Sequence, residues 1–300
     1  MARSGTRDHV VAPQTIGLIG QSVLDRAHWP DGRIEERLGG APIFAARALA
    51  DVWPAVVLTH GGTAGLRRPL HELGLRIVVG PSSLTTVFEV ALYGDGTWSE
   101  EVTAIGDPFT ERDLETWMAA DLVRCGSIVC GTQLRGDFTA ETLAALGQGG
   151  RRVYLDGQGP ARPRRLGPIR LEGPLDPATL RSVSVLKLGE EEADTLIGGI
   201  DAEAARATGV PVVVVTRGEQ GAIVLADGRA TEIRVEPVLG LADTVGAGDS
   251  FLALMAAAAE DGADPIAATR RACDSVAELL RTRLATQRAT GVAAAHLGER

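Results

Sequence analysis

Apolar residues along this chain follow two rhythms. Short continuous runs predict buried strands over 16–20, 55–59, 127–130, 152–156, 183–188, 212–216, 222–226 and 232–235. Between them, apolar positions recur at helical spacing and predict helices over 43–52, 66–73, 111–120, 139–146, 191–197, 202–207, 250–261 and 265–284. Short apolar strands separated by helices specify an α/β fold, a mostly parallel sheet covered on both faces. Two stretches break the rhythm, 21–38 and 75–103. There apolar and polar residues alternate around the turns Pro30-Asp31-Gly32 and Gly94-Asp95-Gly96, the pattern of a sheet with one face open. Brought together, they would form a small β lid over the strand ends. No repeat and no linker divides the rest, so one domain over 1–300 is expected.

Composition narrows the possible partners. Apolar residues make up 45% and charged residues 23% of the chain, as in a soluble globular protein. Acids outnumber bases 39 to 30, which speaks against nucleic acid. No apolar stretch approaches the roughly 20 residues of a membrane span, and the opening segment 1–14 lacks the apolar region of a signal peptide. Cys125, Cys130 and Cys273 form no C-x-x-C pair and read as buried reduced thiols of a cytoplasmic protein. The chain has a single lysine, Lys187, and Leu188 follows it, so no Walker A phosphate loop exists. Its histidines show no metal-ligand spacing.

Polar clusters follow predicted strands at four points. They are Asp156-Gly157-Gln158, Gly189-Glu190-Glu191-Glu192, Thr216-Arg217-Gly218 and Asp243-Thr244-Val245-Gly246-Ala247-Gly248-Asp249. Ligands of an open α/β sheet bind at that edge. The last cluster opens an alanine-rich helix, and glycine-freed amides at a helix N-terminus favour an anion. A carboxylate beside such a cradle suits a base that deprotonates a nucleophile attacking phosphorus. Gly248-Asp249-Ser250 also has the outline of an esterase nucleophile site, but His296 lacks the required D-x-x-H context. The arginines Arg162, Arg164, Arg165 and Arg170 read as a solvated basic loop, except Arg162.

The string D-T-V-G-A-G-D-S-F (243–251) closely resembles the C-terminal signature of the ribokinase-like (PfkB) carbohydrate kinases. That resemblance implies a three-layer sandwich with a lid, Asp249 as catalytic base, and Gly246, Ala247 and Gly248 as the amide cradle. Thr216, Gly218 and Gly221 match the nucleotide-binding turn T-x-G-x-x-G. L-K-L-G-E-E-E-A (186–193) resembles the K-x-N-x-x-E block. It implies Lys187 at the nucleotide and Glu192 at Mg²⁺ through water, with Gly189 replacing the usual Asn. Gly39-Gly40-Ala41-Pro42 resembles the N-terminal signature. There Asp25 would bind acceptor hydroxyls, and Phe44 stands where an Asn is usual. D-G-Q-G-P-A-R (156–162) fits the D-x-Q-G-x-x-R variant of the myo-inositol-kinase-like branch. It brings Gln158 and Arg162 to the nucleotide and tilts the acceptor toward a cyclitol or ring sugar. Asp243 is implied at a monovalent cation such as K⁺.

The resulting expectation is an ATP- and Mg²⁺-dependent kinase acting on a small polyol. The alternatives are a nucleoside kinase, with Phe44 stacking on a base, and a sugar- or nucleoside-binding protein that has lost efficient transfer. A phosphorylated acceptor is less favoured, because beyond Arg33 and Arg37 the lid offers little to hold a second phosphate. Trp29 and Phe88 are further pocket candidates, with core packing preferred for Phe88. The sequence leaves open whether two copies pair through the lid.

Overall fold

In a computed structural model, residues 14–62, 64–93, 98–241 and 244–290 are described. The chain begins with β1 (Thr15–Gly20), β2 (Val23–His28), β3 (Ile34–Gly39), α1 (Ala41–Leu49), β4 (Ala55–His60), α2 (Ala64–Glu72) and β5 (Ile77–Gly80). It continues through β6 (Thr86–Leu92), β7 (Trp98–Ala104), α3 (Glu111–Glu115), α4 (Ala119–Leu122), β8 (Cys125–Gly131), α5 (Ala140–Leu146), β9 (Arg152–Asp156), α6 (Gln158–Ala161) and β10 (Gly167–Pro168). Then come β11 (Val185–Gly189), α7 (Glu190–Ile197), α8 (Ala202–Ala207), β12 (Val212–Thr216), β13 (Ala222–Ala226), β14 (Arg229–Ile233), α9 (Ala247–Glu260) and α10 (Pro265–Thr290).

Among the described residues, nine strands form the main sheet in the order β14-β13-β12-β11-β9-β8-β1-β4-β5. Its pairs are parallel from β12 to β5, and β13 and β14 add an antiparallel edge. Both faces are covered, so consecutive strand residues enter different cores. Val212 and Val214 belong to the core that includes α1, α9 and α10, while Val213 and Val215 belong to the one that includes α5, α7 and α8. That two-sided burial is why these strands are apolar throughout rather than alternating.

A second sheet runs β10-β7-β6-β2-β3 and forms the lid. The expected lid stretch 75–103 is corrected at its start. Ile77–Gly80 pairs with β4 in the main sheet, because a four-residue apolar run does not by itself say which sheet accepts it. The lid instead gains β10, a two-residue strand paired with β7. The expected helix over 111–120 is two short helices, α3 and α4. The last strand lies at Arg229–Ile233, earlier than 232–235, because Asp227 and Gly228 turn the chain with positive φ. The turn at 94–96 lies outside the described residues. All three cysteines are buried and free, and no described helix is long and apolar enough to cross a membrane.

Candidate active site

The carboxyl ends of β8, β9 and β11 meet the N-terminus of α9. Gly246 caps that helix in the left-handed conformation (φ 78°). A side chain there would meet Phe44, its Cβ falling 2.3 Å from the ring's Cγ. Phe44 therefore fills the space beside the cradle glycine. Ala247 donates its N–H to the Thr244 carbonyl at 3.0 Å, so that amide of the expected cradle is engaged. The Gly246 and Gly248 amides have no acceptor among the described residues. Ser250 is buried and its hydroxyl donates to the Gly246 carbonyl at 2.7 Å, which rules out a nucleophile role.

Beneath this turn lies a buried charge cluster that the sequence shows only in part. Lys187 projects from β11 and its Nζ stands 3.2 and 3.4 Å from the Asp156 carboxylate oxygens. The two residues are register partners on neighbouring strands. A Cβ on Gly248 would sit 2.8 Å from Lys187 Nζ, so any side chain there would have to push the end of that lysine aside. Burial works against the Lys187 charge, but the carboxylates of Asp156, Glu192 and Asp249 outweigh it and raise its pKa. Asp249, in the first turn of α9, is pushed up to about 7, mainly by burial and then by Asp156. Lys187 and Arg162 pull it back down. Asp249 and Asp156 share a small cavity with Ala41, Pro42 and Gly131, so the carboxylate lies at the β8–β9 strand ends, facing α1.

Glu192 reaches back to its own helix start, where its Oε2 accepts the Gly189 N–H at 2.7 Å. This closes the end of α7 that Gly189 cannot cap with a side chain. Burial raises the Glu192 pKa while Lys187 opposes it.

The lid supplies the second half. Asp25 on β2 pairs in register with Arg37 on β3, and its carboxylate lies over Gly39, where a Cβ would be 2.5 Å from Oδ2. Gly40 (φ 111°) caps α1, and a side chain there would strike the Gln21 carbonyl. Burial pushes Asp25 up to about 7, helped by Glu100 and opposed by Arg162 and Arg37. Arg162 spans both halves. Its Nη2 is 3.6 Å from Glu100 on β7, it opposes the shifts of both Asp25 and Asp249, and its buried Nε has no hydrogen-bond partner. A buried guanidinium N–H with no hydrogen-bond partner among the described residues, on an arginine within electrostatic reach of Asp249, fits an anion such as a phosphoryl group.

The other expected residues lie farther along the strand ends. Thr216 is the register partner of Gly189, and its hydroxyl donates to the Leu188 carbonyl at 3.2 Å. Gly218 and Gly221 shape the β12–β13 turn, and any Cβ on Gly221 would strike the Ile233 carbonyl. Gln158 donates its backbone N–H to Asp156 at 3.0 Å and starts α6. Asp243 lies outside the described residues. Phe88 packs into a small lid core with Val23, Val102 and Leu134, and the Arg33 guanidinium covers the Trp29 ring at 4.5 Å.

Two readings of the sequence need revision. Asp156, named in a polar cluster and a motif but given no role of its own, belongs to the charge cluster as the partner of Lys187. The chain's one lysine, set in an apolar strand, was the available signal, since a buried ammonium needs a counter-ion. The basic loop is not uniformly solvated either. Arg170 is exposed and Arg165 pairs with Glu172, but Arg164 pairs with the buried Asp137 at 2.8 Å.

Comparison with known proteins bears on the family and the fold. Residues 103–290 match the family described as pfkB family carbohydrate kinase. Over 144 residues the chain is 37% identical to a 1-phosphofructokinase of Rhodobacter capsulatus, a match spanning 47% of this chain and 42% of that protein. Among solved structures, a pyrophosphate-dependent kinase of the ribokinase family in a sulfate complex superposes with TM-score 0.74 at 23% identity, covering 89% of this chain and 95% of that one. Arabidopsis thaliana ribokinase, solved with ribose and ATP, gives TM-score 0.71 at 18% identity over 90% and 93%. These two likenesses concern the fold, a main sheet with helices on both faces and a lid. With the signature-bearing half of the chain matched throughout, the protein belongs to the pfkB family of carbohydrate kinases, phosphotransferases that act on hydroxyl groups.

Proposed function

We propose that the chain transfers the γ-phosphoryl group of ATP to a hydroxyl of a sugar or cyclitol. The observation that carries this reading is the placement of Asp249. It is a carboxylate in the first turn of a helix, its pKa pushed up to about 7, beside glycine amides with no acceptor among the described residues and within electrostatic reach of Lys187 and Arg162. Asp25 orients the acceptor under the lid. Asp249 takes the proton as the acceptor oxygen bonds to phosphorus and the bond to the ADP oxygen breaks. The Gly246 and Gly248 amides, with Arg162, meet the charge that develops on the phosphoryl oxygens. Lys187 offsets the Asp156 carboxylate at the floor of the site. A bound Mg²⁺ would neutralise donor phosphate charge. Glu192, with one carboxylate oxygen already engaged by Gly189, fits a contact through water. Thr216, Gly218, Gly221 and Gln158 line the strand ends toward the nucleotide. A dependence of the rate on K⁺ would test the role assigned to Asp243.

The lid's inner face argues for an unphosphorylated acceptor. Asp25, Glu35 and Glu100 outnumber Arg37 and Arg162, and Arg37 already donates to Glu35 at 2.8 Å. Base stacking on Phe44 is disfavoured because that ring is committed to Gly246. Pyrophosphate is the second donor to consider. Gly189 offers no side chain where the family places an Asn, and a fold neighbour works with pyrophosphate. Donor turnover that depends on acceptor, measured with ATP and with pyrophosphate across sugars, cyclitols, nucleosides and sugar phosphates, tests the proposal. We expect turnover with an unphosphorylated polyol, whereas silence across the panel would leave a binding protein.

A further inference from the structure

Arg164 lies in a run whose charge pattern reads as solvated loop, yet its side chain is only 26% exposed. Its Nη1 donates to Asp137 Oδ1 at 2.8 Å and its Nη2 donates to the Gly106 carbonyl. Asp137 is enclosed and also accepts from Gln21 Nε2 at 3.2 Å and from the backbone N–H groups of Gln133 (2.7 Å) and Leu134 (3.0 Å). Gln21 in turn accepts from the Thr86 hydroxyl, which accepts the Gly106 N–H at 2.9 Å. These groups lie where the chain crosses between the two sheets: Gln21 between β1 and β2, Thr86 at the start of β6, Gly106 just after β7, and Arg164 ahead of β10. A side chain at 106 would crowd this network, since a Cβ would come within 2.7 Å of Gln21 Oε1 and 3.0 Å of the Leu84 carbonyl. One buried carboxylate thus ties together four crossings between core and lid.

The same segment carries a group of the site. Arg162 stands two residues before Arg164, and Pro163 between them restricts the backbone. Arg162 is anchored to the core through its N–H to Gly159 (2.9 Å) and its carbonyl to Arg135 (2.7 Å), while its side chain reaches Glu100 of the lid. A tilt of the lid that stretched the Arg164–Gly106 bond would also pull at the Arg162–Glu100 pair.

We propose that Arg164 is a positioning residue that couples the angle of the lid to the placement of Arg162 between Asp25 and Asp249. What this closure serves rests on the phosphoryl-transfer reading above, whereas the coupling itself does not. Three variants test it: Arg164→Met, the pair Asp137→Asn/Arg164→Met, which strands no buried charge, and Arg164→Lys, which keeps the charge but not the fork. Amide exchange in β2 and β6 should be about tenfold faster or more in Arg164→Met and in the pair, with the core strands unchanged. The acceptor KM should rise about tenfold while the donor KM stays within about twofold, a split that general loosening would not produce. Arg164→Lys should recover part of both effects. A folded double variant with wild-type exchange in the lid and a wild-type acceptor KM overturns the proposal. If neither Met-bearing protein folds, Arg164→Lys decides: faster lid exchange supports the coupling and wild-type exchange overturns it. If the wild-type protein turns over no donor–acceptor pair, the transfer reading fails and the exchange measurement still decides the coupling.

Discussion

Asp249 and Asp25 show the same displacement in acidity, to about 7, and in both burial is the first cause. Their surroundings differ. Asp249 is set in the core, on a helix packed against the main sheet, and a buried lysine from a central strand opposes its shift. Asp25 is set in the lid, and what opposes its shift is a pair of arginines, one on a neighbouring lid strand and one from the α6 segment. The core group is fixed by dense apolar packing on two sides. The lid group is fixed by polar contacts over a thin apolar layer of Val23, Phe88, Val102 and Leu134. On the proposed reading the contrast is a division of labour: the group that takes the proton is placed by the densely packed core layer, and the group that orients the acceptor is placed by the thin-cored lid.

The largest expected effect tests the core side. Asp249→Ala should lower turnover by about 10²–10⁴-fold while the donor Kd, measured by calorimetry, changes by less than about threefold. Wild-type turnover in that variant would remove Asp249 from the chemistry.

The next effect is in pH. The base must be ionised, so kcat/KM should rise about tenfold per unit up to a bend near 7 and then flatten. Asp25→Asn should raise the acceptor KM and leave the bend in kcat/KM in place, whereas loss of the bend would assign it to the lid. Stability should move the other way. An unfolded carboxylate ionises near 3.8, the folded ones near 7, so the folded state holds the extra protons between those values. Stability is then lost as pH rises through that window, and Asp249→Ala should flatten the loss in Tm.

The smallest effect is on the lid's outer face. Arg26 and Glu36 pair at 2.8 Å with side chains 40% and 56% exposed. Glu36→Ala should cost less than about 1 kcal/mol in thermal unfolding and leave turnover alone. A large loss of activity would show that the outer face has more than a structural role.

The sequence disclosed the core more fully than the lid for a physical reason. Strands buried on both faces must be apolar throughout, so 152–156, 212–216 and 222–226 could be read to the residue. Alternation tells which residues share a face but not which sheet a strand joins, and so Ile77–Gly80 was assigned to the lid. The Gly-rich turn at α9 and its Asp249 were legible as local chemistry. The Lys187–Asp156 pair was not, because it depends on the register between two strands 31 residues apart in sequence. Arg164 escaped for the same reason: its partner Asp137 is distant along the chain, and charge pattern alone favours solvent.

One further consequence follows from the lysine beneath Gly248. Amine-directed reagents acting on this chain have, apart from its α-amino group, a single target, and it is 7% exposed and salt-bridged beneath the candidate site. Acylation at that nitrogen therefore registers how often the site opens, and protection from acylation registers what fills it. The native chain thus carries its own occupancy probe, with no surface lysines to contribute background.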